Sequence, residues 1–268
     1  MSSGDGYAIV TLANAPWSGR DHAELTEMLG CSACRVDYYR STGDETALPV
    51  EPETVCVPLE AGGSIEDVDG TTAVPRWGVA RVRTGTAAAL AGQPSVPWVV
   101  VHATVDDTDS AGVDSSLPSS DSAVQPGDFT ESATDSAAHS VESTVTVIDP
   151  ATVTFAPPAT SDVPIARLTA PLECAGMKVN YRRLAPGQAV PYHVEGSQEE
   201  LFVPLDGPGT VRIDDEVHHV PAGGVVSVAP PVPRSVTNES AGSRCWFMAG
   251  APPTGGPDEW DPGAEILE

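Results

Sequence analysis

Short runs of apolar residues alternate along most of this chain with turns rich in glycine and proline. In the second half, Met177–Arg182, Leu201–Pro204 and Val225–Val228 are such runs. Many short strand-like runs at close, regular spacing, divided by Gly and Pro, predict an all-β sandwich or barrel. One helix is predicted, over His22–Leu29, ended by Gly30.

The same pattern occurs twice in the chain. Similar strings recur at an offset of 143 residues early in each copy and of 146 residues later, as a short turn insertion in the second copy would produce. The matched strings are Val10–Ala13 with Val153–Ala156, Cys31 with Cys174, and Val55–Glu60 with Leu201–Asp206. A unit of about 100 residues has the size of a domain, not of a solenoid repeat. We therefore predict two tandem barrels, over residues 6–105 and 149–254.

A segment of low hydrophobicity, residues 106–148, separates the two copies. Ser, Asp, Thr and Ala dominate it, and it contains neither Lys nor Arg. Such a composition does not bury enough apolar surface to offset the entropy of ordering, so we predict a disordered acidic linker. Residues 255–268 begin with Pro and Gly and are predicted to form a loosely held tail.

The chain is strongly acidic. Its 268 residues include 38 Asp and Glu against 13 Lys and Arg, a formal charge of −25, and Lys178 is the only lysine. Like charges repel within a compact state and molar salt screens the repulsion, so the composition resembles that of proteins from salt-accumulating halophiles such as haloarchaea. The alternative is a mesophilic acidic protein with a cationic partner. Both interpretations argue against nucleic-acid and membrane binding, because the sequence has no basic stripe.

The start of the sequence does not resemble a targeting segment. It lacks the charged region and the apolar region of a signal peptide. No apolar run is long enough to span a bilayer. We therefore expect a cytoplasmic protein.

Cys31 and Cys34 form a C-x-x-C motif, a pattern found in redox pairs and in zinc sites. In the second copy Cys31 recurs as Cys174, but Cys34 is replaced by Met177, and the sequence has no second C-x-x-C. We therefore expect the five cysteines to be reduced and buried, packing as small hydrophobic residues.

The second copy carries two spaced motifs. The first is Gly187, His193-Val194-Glu195, Glu200 and Gly207. The second is Pro221-Ala222-Gly223, a proline-rich turn at Pro230–Pro233, then Arg234 and Asn238. Their spacing resembles the two motifs of the cupin superfamily, with the Asn one residue later than the pattern has it. The resemblance covers all of the second copy, and through the repeat the chain resembles a bicupin. It implies two jelly-roll (double-stranded β-helix) barrels.

The motif residues point to one focus. His193 and Glu195, two residues apart on a strand, project to one face, and Glu200 on the next strand can meet them. The resemblance implies a metal here, because metal-binding cupins hold Fe, Mn, Zn, Ni or Cu with three His and one Glu. In this chain Glu195 replaces the second His, and Arg234 replaces the third with a guanidinium that cannot ligate a metal.

Two interpretations of this cluster follow. In the first, His193, Glu195 and Glu200 bind one divalent transition metal (Fe, Mn or Zn), and Arg234 holds a carboxylate or phosphate of a substrate. In the second, Arg234 pairs with Glu195 or Glu200 and fills the site without a metal. In both, the barrel mouth is a plausible small-molecule pocket.

Further residues of the second copy are candidates for the site. Tyr192, beside His193, and Asn238, of the second motif, are predicted to contact the ligand, with aromatic packing as the alternative for Tyr192. Strand alternation indicates that one of Arg182 and Arg183 faces the pocket. Glu199, next to Glu200, is predicted to point outward as a surface acid.

The first copy lacks the site groups. At their positions it has Ala47–Pro49, Thr54 and Ala88. We therefore predict that the first barrel has no site and covers an edge of the second barrel as a pseudo-symmetric partner. Trp98 and Trp246 occupy matching strands and are predicted to be core residues.

Three functions are compatible with these patterns. The first is a cupin that binds a small, anionic metabolite in the C-terminal barrel, with weak or no catalysis. The second is a metal-dependent enzyme of the dioxygenase or sugar-isomerase kind. The third is an assembly or scaffold protein of a halophile cytosol. A homo-oligomer is compatible with each. The resemblance supports the first two only by fold-level analogy, because cupins span many activities.

Overall fold

The computed structural model describes residues 2–4, 6–19, 21–41, 46–50, 53–92, 95–104, 144–256, 259 and 262–267. Within these residues the protein is built from β-strands, and the single α-helix has four residues. The predicted all-β class is therefore confirmed. None of the described helical structure is long and apolar enough to cross a membrane. The predicted linker, up to residue 143, lies outside the described residues.

The strands are short and follow one another closely. In the first half they are β1 (Ser2–Gly4), β2 (Tyr7–Val10), β3 (His22–Glu24), β4 (Cys34–Arg40), β5 (Thr46–Ala47), β6 (Thr54–Pro58), β7 (Gly63–Asp67), β8 (Gly70–Val74), β9 (Val79–Val82), β10 (Ala88–Ala91) and β11 (Pro97–Ala103), with helix α1 (Thr26–Leu29) between β3 and β4. In the second half they are β12 (Val145–Ile148), β13 (Ile165–Arg167), β14 (Lys178–Leu184), β15 (His193–Val194), β16 (Glu199–Pro204), β17 (Gly209–Ile213), β18 (Glu216–Val220), β19 (Val225–Val228), β20 (Arg234–Thr237), β21 (Arg244–Ala251) and β22 (Glu265–Ile266).

These strands form two barrels of two sheets each. The first barrel has a six-stranded sheet, β12-β9-β6-β11-β4-β3, and a four-stranded sheet, β5-β10-β7-β8. The second has a seven-stranded sheet, β1-β2-β19-β16-β21-β14-β13, and a five-stranded sheet, β18-β17-β20-β15-β22. The register repeats as well, because Thr54 pairs with His102 as Glu200 pairs with Gly250.

Each half contributes its first strands to the sheet of the other half. Val10 of β2 lies opposite Val225 of β19, and Ile148 of β12 lies opposite Val79 of β9. The structural counterpart of Val10 is therefore Ile148, and the predicted match to Val153 is wrong. Short apolar strings match easily by chance, whereas ladder pairing fixes the register. Residues 145–148, predicted as the end of the linker, belong to a strand.

Alternation along the strands sorts the apolar side chains into three clusters. Trp98 and Trp246 fill the two barrel interiors and are fully buried, as predicted. The third cluster lies between the barrels, where the large sheets pack together through residues such as Val99 and Phe247. A Cβ at Gly209 would lie 2.0 Å from the Trp246 ring, so this close packing requires glycine.

The predicted helix over His22–Leu29 is largely wrong. His22–Glu24 forms β3, which pairs with β4, and only Thr26–Leu29 is helical. The helix ends at Gly30, whose φ of 66° is left-handed. Sheet pairing with a distant segment overrides the local helical pattern.

The C-terminal segment, predicted to be a loosely held tail, is paired with the second barrel. Ile266 of β22 lies opposite His193 of β15, and the Leu267 N–H donates to the Tyr192 carbonyl at 2.8 Å. The exposed edge of β15 supplies the backbone partners that hold this segment. The segment consequently lies against the predicted site.

Candidate functional site

Four polar side chains meet inside the second barrel, and separate strands position them. His193 on β15 lies directly opposite Arg234 on β20. Glu195 follows β15, and Glu200 lies on β16 of the other sheet. Gly187, with φ of 76°, forms the turn that precedes β15. The structure thus brings together the four residues that the motifs singled out.

The cluster is held by ion pairs. Arg234 Nε donates to Glu200 Oε2 at 3.0 Å. His193 Nε2 lies 3.5 Å from the same Glu200 oxygen and 3.4 Å from Glu195 Oε1. Arg234 is 0% exposed, and its other nitrogens donate to the carbonyls of Val232 at 2.7 Å and Gln198 at 3.4 Å. Arg234, predicted to hold a ligand anion, is instead occupied within the protein.

The protonation states follow from these contacts. Burial alone would lower the pKa of His193, but hydrogen bonds with Glu195 and Glu200 outweigh it and raise the pKa to about 9. Burial alone would raise the pKa of Glu200, but its hydrogen bond with His193 and the charge of Arg234 lower the pKa to about 2. At neutral pH His193 is therefore an imidazolium, and with Arg234 it balances the two carboxylates.

This arrangement does not fit a divalent metal. By distance the three predicted ligands qualify, because ligand atoms of His193, Glu195 and Glu200 all lie within 4.8 Å of one another. However, the guanidinium of Arg234 is bonded to the Glu200 oxygen that a metal would need, and its complete burial leaves it no path to solvent. A metal would also have to displace the proton of His193. The second of the two interpretations, an ion pair in place of a metal, matches the geometry.

A cavity of about 240 Å³ opens beside the ion-pair cluster. Its lining includes Glu195 and Glu200 together with three basic side chains, Arg167, Lys178 and Arg182. The remaining polar side chains of the lining are those of Thr160, Thr169, Asn180, Gln198 and Glu259. Three of the 13 Lys and Arg of the chain thus line this cavity.

Of the three basic groups of the cavity, Lys178 is buried, Arg182 is half-buried and Arg167 is exposed. Burial lowers the pKa of Arg182 to about 10, so the guanidinium is still charged at neutral pH. Arg182 Nη1 donates weakly to the Val163 carbonyl at 3.4 Å, and its buried Nε has no hydrogen-bond partner within the described residues. Lys178, 9% exposed, donates from Nζ to the Glu259 carbonyl at 2.7 Å.

Two residues predicted to contact the ligand lie away from the cavity. The Tyr192 hydroxyl donates to the Asp214 carbonyl at 3.0 Å, and Arg212 stacks on its ring outside the barrel. Asn238 is buried in a turn, where its amide donates to the Leu184 carbonyl at 2.9 Å. Sequence neighbourhood to His193 and Arg234 did not indicate which way these side chains point.

The cations of the cavity follow an alternation that the sequence contains. Lys178, Asn180 and Arg182 lie two residues apart on β14 and face the interior, so Arg182 is the member of the Arg182–Arg183 pair that lines the cavity. The sequence analysis did not predict Lys178 as a cavity residue. Its being the only lysine of the chain, at the start of this alternating series, could have indicated it. Arg167 lies on β13 and joins them because β13 pairs with β14.

The first barrel holds a polar cluster of its own at the matching end. Asp37, fully buried, lies 2.9 Å from His22 Nε2 and 3.2 Å from His102 Nε2, and Arg35 Nε donates to it at 2.9 Å. The contacts with His102, His22 and Arg35 outweigh the effect of burial and keep the pKa of Asp37 low. The residues matching Glu200 and Arg234 are Thr54 and Ala88, as predicted. The first barrel nevertheless has this polar cluster of its own, formed by residues at other positions.

Glu199, predicted to be a surface acid, is 3% exposed. It lies on the face of β16 opposite to Glu200, and that face packs against the first barrel. Strand alternation gave the correct face, but not the fact that the other barrel covers it.

Comparison with known proteins supports a cupin architecture. Residues 180–249 match a family model described as Cupin domain. A search of curated proteins found no matching sequence. Among solved structures, an oxalate decarboxylase of Lactobacillus farciminis in complex with formate is similar, with a TM-score of 0.65 and 11% identity over 100% of this chain and 90% of that chain.

Two further structures are similar. A variant of the Bacillus subtilis oxalate decarboxylase aligns with a TM-score of 0.64 and 12% identity over 100% of this chain and 80% of that chain. AerE from Microcystis aeruginosa aligns with a TM-score of 0.57 and 12% identity over 92% of this chain and 99% of that chain. The protein therefore has the cupin fold, and residues 180–249 of its second barrel match the cupin-domain model.

Proposed function

We propose that the second barrel binds a small carboxylate-bearing anion in the cavity beside the ion-pair cluster, without a metal in that cluster. Arg182 and Lys178 are the anion-contacting groups, and Arg167 lies at the edge. The carrying observation is the half-buried guanidinium of Arg182, which lines the cavity, forms no ion pair within the described residues and has an enclosed Nε without a hydrogen-bond partner there. The charges of Glu200 and Glu195 offset part of the desolvation of this cation, and a bound carboxylate would stabilise it further by a charge-assisted hydrogen bond.

The size and charge of the cavity support a small ligand. A volume of about 240 Å³ is below the usual range for drug-sized ligands, which suits a small carboxylic acid. The lining has three basic side chains, Arg167, Lys178 and Arg182, and three carboxylates, those of Glu195, Glu200 and Glu259. With His193 and Arg234, which contact Glu200, the cations around the cavity outnumber the carboxylates. Two of the similar structures are oxalate decarboxylases, one of them with formate, but at 11–12% identity the likeness carries the fold alone.

The test is calorimetric titration of the full chain with oxalate, malonate and succinate at constant KCl, with the neutral diamides as controls. The diacids bind and the diamides do not. Arg182→Gln reduces the affinity by at least about tenfold, since it removes a charge-assisted hydrogen bond. Arg183→Gln is the matched control, because Arg183 is the adjacent, exposed arginine and stacks on Phe155 instead. Equal binding of acids and amides, or an unchanged affinity in Arg182→Gln, contradicts the proposal.

A further inference from the structure

Two thiols and a carboxylate converge where the two barrels meet. Cys31 follows helix α1 and Cys34 begins β4, both in the first barrel, whereas Glu199 comes from β16 of the second. One ligand atom from each residue lies within 4.8 Å of the others. This interface cluster of Cys31, Cys34 and Glu199 is separate from the cavity of the second barrel, because none of the three lines that cavity.

Glu199 is a buried carboxylate with neutral partners only. It accepts hydrogen bonds from the Ser32 N–H at 3.0 Å, the Ser32 hydroxyl at 3.3 Å and the Cys34 thiol at 3.4 Å. Within the described residues it forms no ion pair with a basic side chain. A charge buried in this way ordinarily has a cationic partner or a metal.

The internal repeat supplies a matched comparison at the other end of the same interface. There Glu53 accepts hydrogen bonds from the N–H groups of Ala175 at 2.9 Å and Gly176 at 3.0 Å, next to Cys174. These hydrogen bonds correspond to the one that Glu199 accepts from the N–H of Ser32, in the loop after Cys31. Glu53 has a cation, however, because Arg81 Nη2 lies 3.5 Å from its Oε2.

Two substitutions distinguish the two ends. The ladder positions show that Ser227, opposite Leu201, is the counterpart of Arg81, opposite Val55. The interface cluster therefore lacks the guanidinium, and it has a second thiol, Cys34, where the other end has Met177. The loss of a resident cation coincides with the gain of a metal ligand.

We propose that Cys31, Cys34 and Glu199 bind a divalent thiophilic cation, Zn²⁺ in the first instance, that ties the two barrels together. Zn²⁺ takes Cys sulfur and Glu oxygen in tetrahedral sites, and three protein ligands leave one position for a further ligand. The Ser227 hydroxyl is a neighbour of the cluster, 3.4 Å from Cys31 Sγ. Binding releases the two thiol protons to solvent and changes no oxidation state.

A disulfide is the competing use of the same two cysteines. It would remove the hydrogen bond from the Cys34 thiol to Glu199 and would leave that carboxylate without a cation. A hydrogen bond with Cys31, followed by burial, raises the pKa of the Cys34 thiol, as does the nearby charge of Glu199. A metal must therefore displace the proton of Cys34, and the charge of the metal then stabilises the resulting thiolate.

The experiment is titration of the full chain, treated with a chelator and kept reduced, with Co²⁺ and then Zn²⁺. We expect one Co²⁺ per chain with a thiolate-to-cobalt charge-transfer absorption, which Zn²⁺ abolishes by displacement. Cys34→Met, which installs the residue of the other end, and Cys31→Ser lose the absorption, and Glu199→Gln binds Co²⁺ more weakly. Cys174→Ser, the matched control, and His193→Gln, in the barrel cluster, retain it.

Three results would overturn the proposal. The first is wild-type protein without the charge-transfer absorption at saturating Co²⁺. The second is an absorption that Cys34→Met leaves unchanged. The third is a thiol count of protein purified under reducing conditions that reveals a Cys31–Cys34 disulfide. The titration of the wild-type protein tests metal binding without any variant, so the proposal can be refuted even if a variant folds poorly. Carboxylate binding in the cavity is measured separately and is unaffected by either outcome.

Discussion

His193 and Arg234 are directly opposite each other on β15 and β20, and both side chains reach the same oxygen of Glu200. Two cations thus converge on a carboxylate from neighbouring strands, at the place where metal-binding cupins hold an ion. In this structure the guanidinium supplies positive charge at that place. Glu195 and Glu200 of the cluster line the cavity.

Arg234→Met should destabilise the protein strongly. It leaves Glu200, which is only 16% exposed, without its guanidinium partner, and breaking one side of a buried pair costs about 3 kcal/mol. Urea unfolding at pH 7 and constant KCl measures the loss. The control is Arg212→Met on the barrel surface, for which we expect a change within about 0.5 kcal/mol. A loss below about 1 kcal/mol for Arg234→Met would contradict the assigned pairing.

Stability should fall as the pH rises through the alkaline range. The pKa of His193 is raised from 6.5 to about 9 on folding, so its contribution is complete below pH 6.5 and is lost as the pH rises through about 9. The loss is on the order of 3 kcal/mol. On the acid side, the pKa of Glu200 is lowered from 4.5 to about 2 on folding. Its contribution to stability is therefore complete above pH 4.5 and is lost as the pH falls through about 2. Unfolding free energies measured across the alkaline window should therefore decline in the wild type and stay flatter in His193→Gln. Parallel curves for the two proteins would be the contrary result.

Thermal stability should rise steeply from dilute to molar KCl. The formal charge of −25 destabilises the compact state by self-repulsion, and at 1 M salt the Debye length is only about 3 Å. The melting temperature by circular dichroism, followed along a KCl series, measures the effect. Sucrose at matched osmolarity separates charge screening from general exclusion of solutes. A melting temperature that is flat in KCl would speak against the halophile-like interpretation of the composition.

Local patterns predicted what depends on local geometry. The spacing of Gly187, His193 and Glu200 resembled the cupin motif, and alternation along the strands placed Glu200 inside the barrel. The pairing of Arg234 with Glu200 was one of two stated interpretations, because a guanidinium and a carboxylate at one focus attract each other whatever the fold.

Contacts between distant segments were beyond the sequence patterns. Glu199 was expected on the surface because alternation identifies the face of a strand but not what covers that face. Tyr192 and Asn238 were expected at the cavity from their motif positions, whereas packing against Asp214 and Leu184 turns them elsewhere. The exchange of first strands between the barrels depends on pairing across more than a hundred residues.

The pair of Glu53 and Arg81 allows a test of whether a buried carboxylate at the interface between the barrels requires a cationic partner. Both side chains are buried between the barrels, and their atoms approach to 3.5 Å. Arg81→Ser, which copies the residue of the other end, leaves Glu53 with only its two backbone donors and should cost about 2 to 3 kcal/mol in urea unfolding. Glu53→Gln leaves Arg81 unpaired and should cost a similar amount.

The double variant should be more stable than the sum of the two losses predicts, by about 1 kcal/mol or more, because neither charge is then left alone. Additive losses would mean that the two side chains do not interact. The counterpart Glu199 would then need no cation of its own, which would weaken the case for a metal at that end of the interface.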